Sequence, residues 1–219
     1  MKQNEKRMFL WGSVYVVGFA VWTAMMLLID VQPLGQNGTN IGFATFNLWF
    51  HQLTRVHMTI YIITDWLGLV PILVCVCFGG LGLVQLIQRR SLLKVDYDII
   101  ILGIYYVIVI AAFILFEMIP INYRPILIED VMEASYPSST TLLVLCVMPT
   151  LVFQANRRLK NEVGKKIIAI CTIVYSVFMV IGRLIAGVHW FTDIVGGILL
   201  SAGLFYIYKA TVLMANIEH

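Results

Sequence analysis

Long apolar runs alternate with short polar breaks along the chain. Six of the runs approach the roughly 20 residues that a helix needs to cross about 30 Å of hydrocarbon. They lie near Phe9 to Ile29, Trp66 to Ile87, Ile99 to Pro120, Thr140 to Gln154, Ile167 to Val188 and Phe191 to Met214. None shows the strict apolar/polar alternation of a membrane β-strand. The pattern predicts an all-α, polytopic membrane protein with six transmembrane helices. The fourth run is short, so its helix is expected to begin inside the connection before it. The apolar core of the first is longer than the roughly 7 to 15 residues of a secretory signal and no A-x-A site follows, so a retained anchor is expected.

The longest connection, Asp30 to Asp65, contains FATFNLWFHQLTRVHMTIYIIT. That stretch is apolar and aromatic enough to lie in the membrane interface as an amphipathic helix. With no internal repeat and no long linker, residues 1–219 read as a single domain.

Composition agrees with the pattern. The chain is 60% hydrophobic and 12% charged, with a mean hydropathy of +0.89, which excludes an ordinary soluble domain. The net charge of +3 is spread in a way that speaks of topology. Lys2, Lys6, Arg7, Arg89, Arg90, Lys94, Arg157, Arg158, Lys160, Lys165, Lys166 and Lys209, 12 of the 15 cations, fall at the N- and C-terminal tails and the even-numbered connections. By the positive-inside rule both termini are cytoplasmic and the odd-numbered connections face outward. The charge gives no reason to invoke nucleic acid. Cys75, Cys77, Cys146 and Cys171 all lie within spans, and neither a disulfide nor a metal site is expected of them.

Two stretches break the apolar grammar. NYRPILIEDVMEASYPSSTT, Asn122 to Thr141, carries Arg124 and a serine-rich turn; GRLIAGVHWFTDIVGG, Gly182 to Gly197, carries Arg183, His189 and Asp193. The topology brings all of them to the outer face. His189 and Asp193 are four apart, about one helical turn, so the carboxylate can accept a hydrogen bond from one imidazole nitrogen and leave the other free. An oriented imidazole is a nucleophile or a base. Two arginines and the amides of a Ser-Ser-Thr turn opening a helix suit an anionic phosphate. Singly, His189 reads as an interfacial histidine, Asp193 as an N-cap and Arg183 as a snorkelling cation. Together, ionisable groups in spans are costly and argue for function.

At these residues the chain resembles the type 2 phosphatidate phosphatases, whose superfamily includes lipid phosphate phosphatases, glucose-6-phosphatase and vanadium haloperoxidases. The family motifs KxxxxxxRP, PSGH and SRxxxxxHxxxD find counterparts, in order, in EMIPINYRP (Glu117 to Pro125), PSST (Pro137 to Thr140) and GRLIAGVHWFTD (Gly182 to Asp193). The resemblance implies two-step phosphoryl transfer at the outer membrane face, with membrane lipid as substrate, phosphate as product and no cofactor or metal. His189 would attack phosphorus, Asp193 would hold the ring, and Arg124, Arg183, Ser138 and the amides near Ser139 would stabilise the transition state. Tyr123, beside Arg124, joins Ser138, Ser139 and the arginines in the implied substrate-binding set.

The departures are informative. Glu117 stands where the family has a phosphate-binding lysine, Thr140 where it has the histidine that protonates the leaving group, and Gly182 where it has a serine. A lipid alkoxide, with a pKa near the roughly 15.7 of water, needs a proton on leaving. A phosphate leaving from a diphosphate, with a pKa of about 6, does not. This favours polyprenyl diphosphates over phosphatidate. Alternatively Glu117 is a substitute acid, or it pairs with Arg124, a cationic headgroup or a metal in a protein that binds lipid without hydrolysing it. Lipid phosphotransfer is a further alternative. A small transporter is a rival of another class, but a pathway needs polar residues at the midplane of several spans, and none is seen. Asp65, before Trp66, reads as an N-cap or as a partner of Arg55 or Arg124. His51 and His57, six apart, lie on different helical faces, so a metal site there is not expected, while Trp66 and Trp190 fit an aromatic belt.

The charge count makes a direct prediction. Gly38→Cys and Glu129→Cys should react with a membrane-impermeant thiol reagent in intact cells, and Lys160→Cys should not; the reverse pattern would place the site in the cytoplasm.

Overall fold

The computed structural model describes residues 3–215, so Lys2 of the charge count lies outside the described residues. Eight α-helices follow in order: α1 Gln3–Leu28, α2 Ala44–Thr54, α3 Met58–Leu67, α4 Leu69–Arg89, α5 Tyr97–Met118, α6 Ser139–Arg158, α7 Glu162–Ala186 and α8 Phe191–Ala215. Among the described residues there is no strand, only three isolated bridges. Six stretches are long and apolar enough to span a membrane, with α3 and α4 counting as one from Met58 to Arg89. The fourth helix does begin inside its connection, at Ser139.

The second span departs from the sequence expectation. The apolar connection splits, with α2 standing apart and α3 forming the top of the span. Gly68 N–H donates to the carbonyls of Thr64 and Asp65, so helical bonding carries through the junction. Asp65 therefore sits inside α3 and caps nothing. Pro71 lacks the N–H that would bond to Leu67, four residues back. The freed Leu67 carbonyl accepts a hydrogen bond from the Tyr175 hydroxyl of α7 at 2.7 Å instead, which satisfies it without water.

Helix ends follow their local chemistry. Asn161 caps α7, its side-chain oxygen accepting from Val163 and Gly164 N–H as an N-cap should. Gly187 ends α7 in the left-handed region with φ +69°, the usual place for a glycine C-cap. At the start of α2, Asp30 accepts from the Thr45 N–H at 2.7 Å, and that bond holds its carboxyl below the ordinary range.

Helix α6 has half of its apolar window buried, more than any other span, and packs against α7 and α8. Helix α1 lies along α8, where glycines bring the backbones together. A Cβ on Gly203 would sit 3.1 Å from the Gly12 carbonyl and 3.0 Å from the Val16 nitrogen, the small-residue contact expected of helices packing in lipid. Three buried tyrosine hydroxyls in the centre are paired: Tyr105 donates to the Cys146 carbonyl, Tyr106 meets Thr150, and Gln154 donates to Tyr208. Outward-facing positions such as Val107, Ile173 and Leu83 are exposed and apolar, as a lipid-facing belt requires.

The end of the bundle away from Arg124 and His189 is tied by an ionic clamp. Asp98, 4% exposed, accepts from Arg157 at 3.3 Å and Arg158 at 2.9 Å. Asp96 binds Arg89, Arg158 and Gln85, joining the ends of α4, α5 and α6. Asp98→Ala would leave two guanidiniums short of their partner, and should lower stability by about 2 kcal/mol, read as an earlier thermal transition in detergent.

Candidate active site

The connection between α5 and α6 folds back on itself. Tyr123 bridges Ala134, Arg124 N–H donates to the Glu133 carbonyl, and Ser135 N–H donates to the Asn122 carbonyl. This hairpin holds Arg124 over the bundle. The connection then ties to α8: Ser138 N–H donates to the Asp193 carbonyl at 3.1 Å, and the Tyr136 ring lies on Gly196, where a Cβ would come within 2.4 Å of it. Arg124, Ser138, Arg183, His189 and Asp193 are thereby gathered at one end of the molecule.

Each arginine is held by a carboxylate at one nitrogen. Arg124 Nη2 lies 3.0 Å from Glu133 Oε2, and Arg183 Nη2 lies 2.8 Å from Asp65 Oδ1. Both guanidiniums rest on the Tyr61 ring, at 5.8 and 5.0 Å from its centroid, a cation–π arrangement that orients them further. Asp65 thus pairs with Arg183, not with Arg55 or Arg124, and Glu133 occupies the partnership with Arg124 that was considered for Glu117. Gly182 explains how α3 reaches so far. A Cβ there would lie 2.7 Å from Thr64 Cγ2, so the serine of the family motif would require the Thr64 side chain to shift.

His189 stands in the turn between α7 and α8, 3% exposed. The sequence led to a hydrogen bond between Asp193 and the ring, but Asp193 Oδ2 lies 3.8 Å from Nδ1. That oxygen accepts the Trp190 N–H at 2.8 Å, and the ring Nδ1 is instead 3.2 Å from the Ser135 carbonyl. A carbonyl can only accept, so Nδ1 carries the proton and Nε2 presents a lone pair. Burial, then the charges of Arg124 and Arg183, push the His189 pKa well below the usual 6.5. The ring is therefore neutral, as a nucleophile must be.

Several buried atoms in this cluster have no partner among the described residues: Arg124 Nε and Nη1, Arg183 Nε and Nη1, Ser138 Oγ and His189 Nε2. Each such group costs about 1–3 kcal/mol when left unmet. Ser138 is the N-cap of α6 without lending its hydroxyl to the cap, so the hydroxyl adds to the free first-turn amides of that helix. The set offers donors and one lone pair, which is the complement of a tetrahedral oxyanion.

The other expected residues are placed around this centre. Ser139 and Thr140 line an apolar cavity of about 530 Å³ with Asp65, Ile72, Val109 and Phe113, bounded by α3, α4, α5 and α6. Glu117 is exposed and borders a narrow recess with Ser135 and Ser139 that adjoins this cavity, sharing Phe113, Ser139 and Leu142 with it. Tyr123 contributes its carbonyl to the Trp190 indole N–H at 2.8 Å. That bond buries Trp190, 3% exposed, whereas Trp66, 71% exposed, stays at the surface as a belt residue would. His51 places Nε2 3.1 Å from the Gly187 carbonyl. Sequence reasoning missed Tyr61, Asn122, Glu133 and Ser135. Tyr61 and Asp65 share a helix face at i, i+4, which was a usable signal; the others depend on the hairpin.

A family model described as the PAP2 superfamily matches residues 106–217, just over half of the chain. Among solved structures, one described as the first transmembrane PAP2-type phosphatidylglycerolphosphate phosphatase from Bacillus subtilis is similar, with a TM-score of 0.61 at 16% identity. The match covers 94% of this chain and 96% of that one. Comparison with curated proteins gives no significant match. Family model, six-span architecture and the order of the motifs agree, and the chain belongs to the PAP2 superfamily.

Proposed function

We propose that the protein is a lipid phosphate or polyprenyl diphosphate phosphatase working at the outer membrane face through a phosphohistidine. The observation that carries this reading is that buried donors of Arg124, Arg183 and Ser138 and the Nε2 of His189 all lack partners among the described residues, in a cluster where the charges of both arginines act on the ring. Membership of the PAP2 superfamily and the fold it shares with a phosphatidylglycerolphosphate phosphatase support it.

In the first step His189 Nε2 attacks phosphorus and the bond to the leaving oxygen breaks. The guanidiniums and the Ser138 hydroxyl meet the charge spreading over the phosphoryl oxygens. The Ser135 carbonyl holds Nδ1–H while Asp193 behind the ring offsets the positive charge that develops on it. The apolar cavity beside Thr140 accommodates the lipid portion. The Thr140 hydroxyl is a poor acid for the leaving group, and Glu117 borders the adjoining recess and does not line the cavity itself. A diphosphate, whose leaving phosphate needs no proton, fits this arrangement best. The second step returns His189 and releases phosphate.

Phosphate release from phosphatidate, phosphatidylglycerol phosphate and undecaprenyl diphosphate by purified protein tests the reading. The diphosphate should be preferred, His189→Ala should lose at least about 100-fold in turnover, and Thr140→His should gain about 100-fold on the monoesters. Undiminished activity in His189→Ala would remove the nucleophile assignment, and robust wild-type turnover of phosphatidate would sink the leaving-group argument.

The nucleophilic form of His189 exists above its folded pKa, which burial and the two arginines depress. Its ring resonances should therefore stay flat as pH falls through about 6.5, where a free histidine titrates. Arg124→Gln removes one positive charge and should move the titration upward. A wild-type midpoint near 6.5 would contradict the buried, cation-flanked ring.

A further inference from the structure

The proposed reaction needs a group that the first step does not use. Cleaving the phosphohistidine requires water to attack phosphorus, and that water must give up a proton. The centre offers few acceptors. Arginines remain protonated, Ser138 is a neutral hydroxyl, and Asp193 is 0% exposed beneath the ring with Oδ2 taken by Trp190 N–H. Glu133 is bound to Arg124 and is not among the residues lining the cavity beside Thr140. Glu117 borders the adjoining recess and is not among the residues lining that cavity either.

Asp65 differs from all of these. Its Oδ1 is anchored on Arg183 Nη2 at 2.8 Å, so it stands one guanidinium away from the phosphoryl group that the other edge of Arg183 would hold. Its Oδ2 makes no hydrogen bond among the described residues. The side chain is 60% exposed and lines the same cavity as Ser139 and Thr140, the space that the lipid product vacates and water then enters. Thr64, its neighbour in α3, lies close against Gly182 of α7.

We propose that Asp65 is the general base of the second half-reaction. This inference rests on the phosphohistidine reading of the same site. Water oxygen forms a bond to phosphorus, the phosphorus–nitrogen bond breaks, and its electron pair returns to His189 Nε2. The water proton passes to the Asp65 carboxylate, which gives it to solvent or to the departing phosphate. Arg183 serves both halves: it stabilises the phosphoryl oxygens and holds the base beside them.

Asp65→Asn tests this, because the amide oxygen still accepts from Arg183 while the base is gone. Farnesyl diphosphate radiolabelled on its terminal phosphoryl group is mixed with protein in detergent micelles and quenched in alkali, where phosphohistidine survives. Steady-state turnover of Asp65→Asn should fall about 100-fold while labelled protein accumulates well above the wild-type level, and Asp65→Glu should recover part of the turnover without accumulation. If Asp65→Asn loses label and turnover together, Asp65 only orients Arg183 and the proposal fails. Wild-type turnover in Asp65→Asn overturns it equally. Failure of the underlying reading shows elsewhere, as undiminished turnover in His189→Ala with no label on the wild type.

Discussion

Keeping two guanidiniums out of water is the constraint around which this end of the molecule is built. A buried cation is tolerated only when it is paired and hydrogen-bonded. Here each arginine has one carboxylate and a shared aromatic ring beneath it. Full satisfaction would stabilise the resting protein and leave nothing for a ligand. The arrangement stops short: one corner of each guanidinium is fixed and the remaining edge is not. Orientation is thus settled before any substrate arrives, which is what preorganised electrostatic stabilisation demands.

The turn bearing His189 is under similar control from elements distant in sequence. Asn47 of α2 bonds the Gly42 carbonyl and the Thr192 hydroxyl, and His51 reaches the Gly187 carbonyl. His57 N–H donates to the Ala186 carbonyl. Gly187 has no room for a side chain, since a Cβ would meet the Arg55 carbonyl at 2.0 Å. The outward face of α2, with Trp49 and Leu53, is exposed and apolar, so one helix combines a lipid-like exterior with a brace for the turn that bears His189.

The spans were legible because a 20-residue apolar run has few alternatives, and Arg183, His189 and Asp193 were legible because charge inside such a run is conspicuous. The Asp193–His189 contact was not. Helical spacing suggested it, but His189 lies in the turn outside the helices and Asp193 inside α8, so the i, i+4 rule does not govern their distance. Glu133 was hidden for another reason. It sits in a polar loop where acidic residues are common, and only the hairpin that pairs Tyr123 with Ala134 brings it to Arg124. The meaning of Gly182 was hidden likewise, since it depends on Thr64 of another helix lying where a side chain would go.

Helix α1 packs along α8 with their backbones nearly touching at Gly12 and Gly203, and its Phe19 and Thr23 contact Tyr136, which leads into Ser138. The first span therefore has its principal partner in the sixth, far along the chain. A contact of such high sequence separation must close a long loop before it is rewarded. The cluster of Arg124, Arg183 and His189, which takes Asp193 from α8 and its underpinning from α1, stays incomplete until α8 has packed against α1. A nascent chain halted before that point would hold its arginines and serine in the membrane without a finished centre to use them.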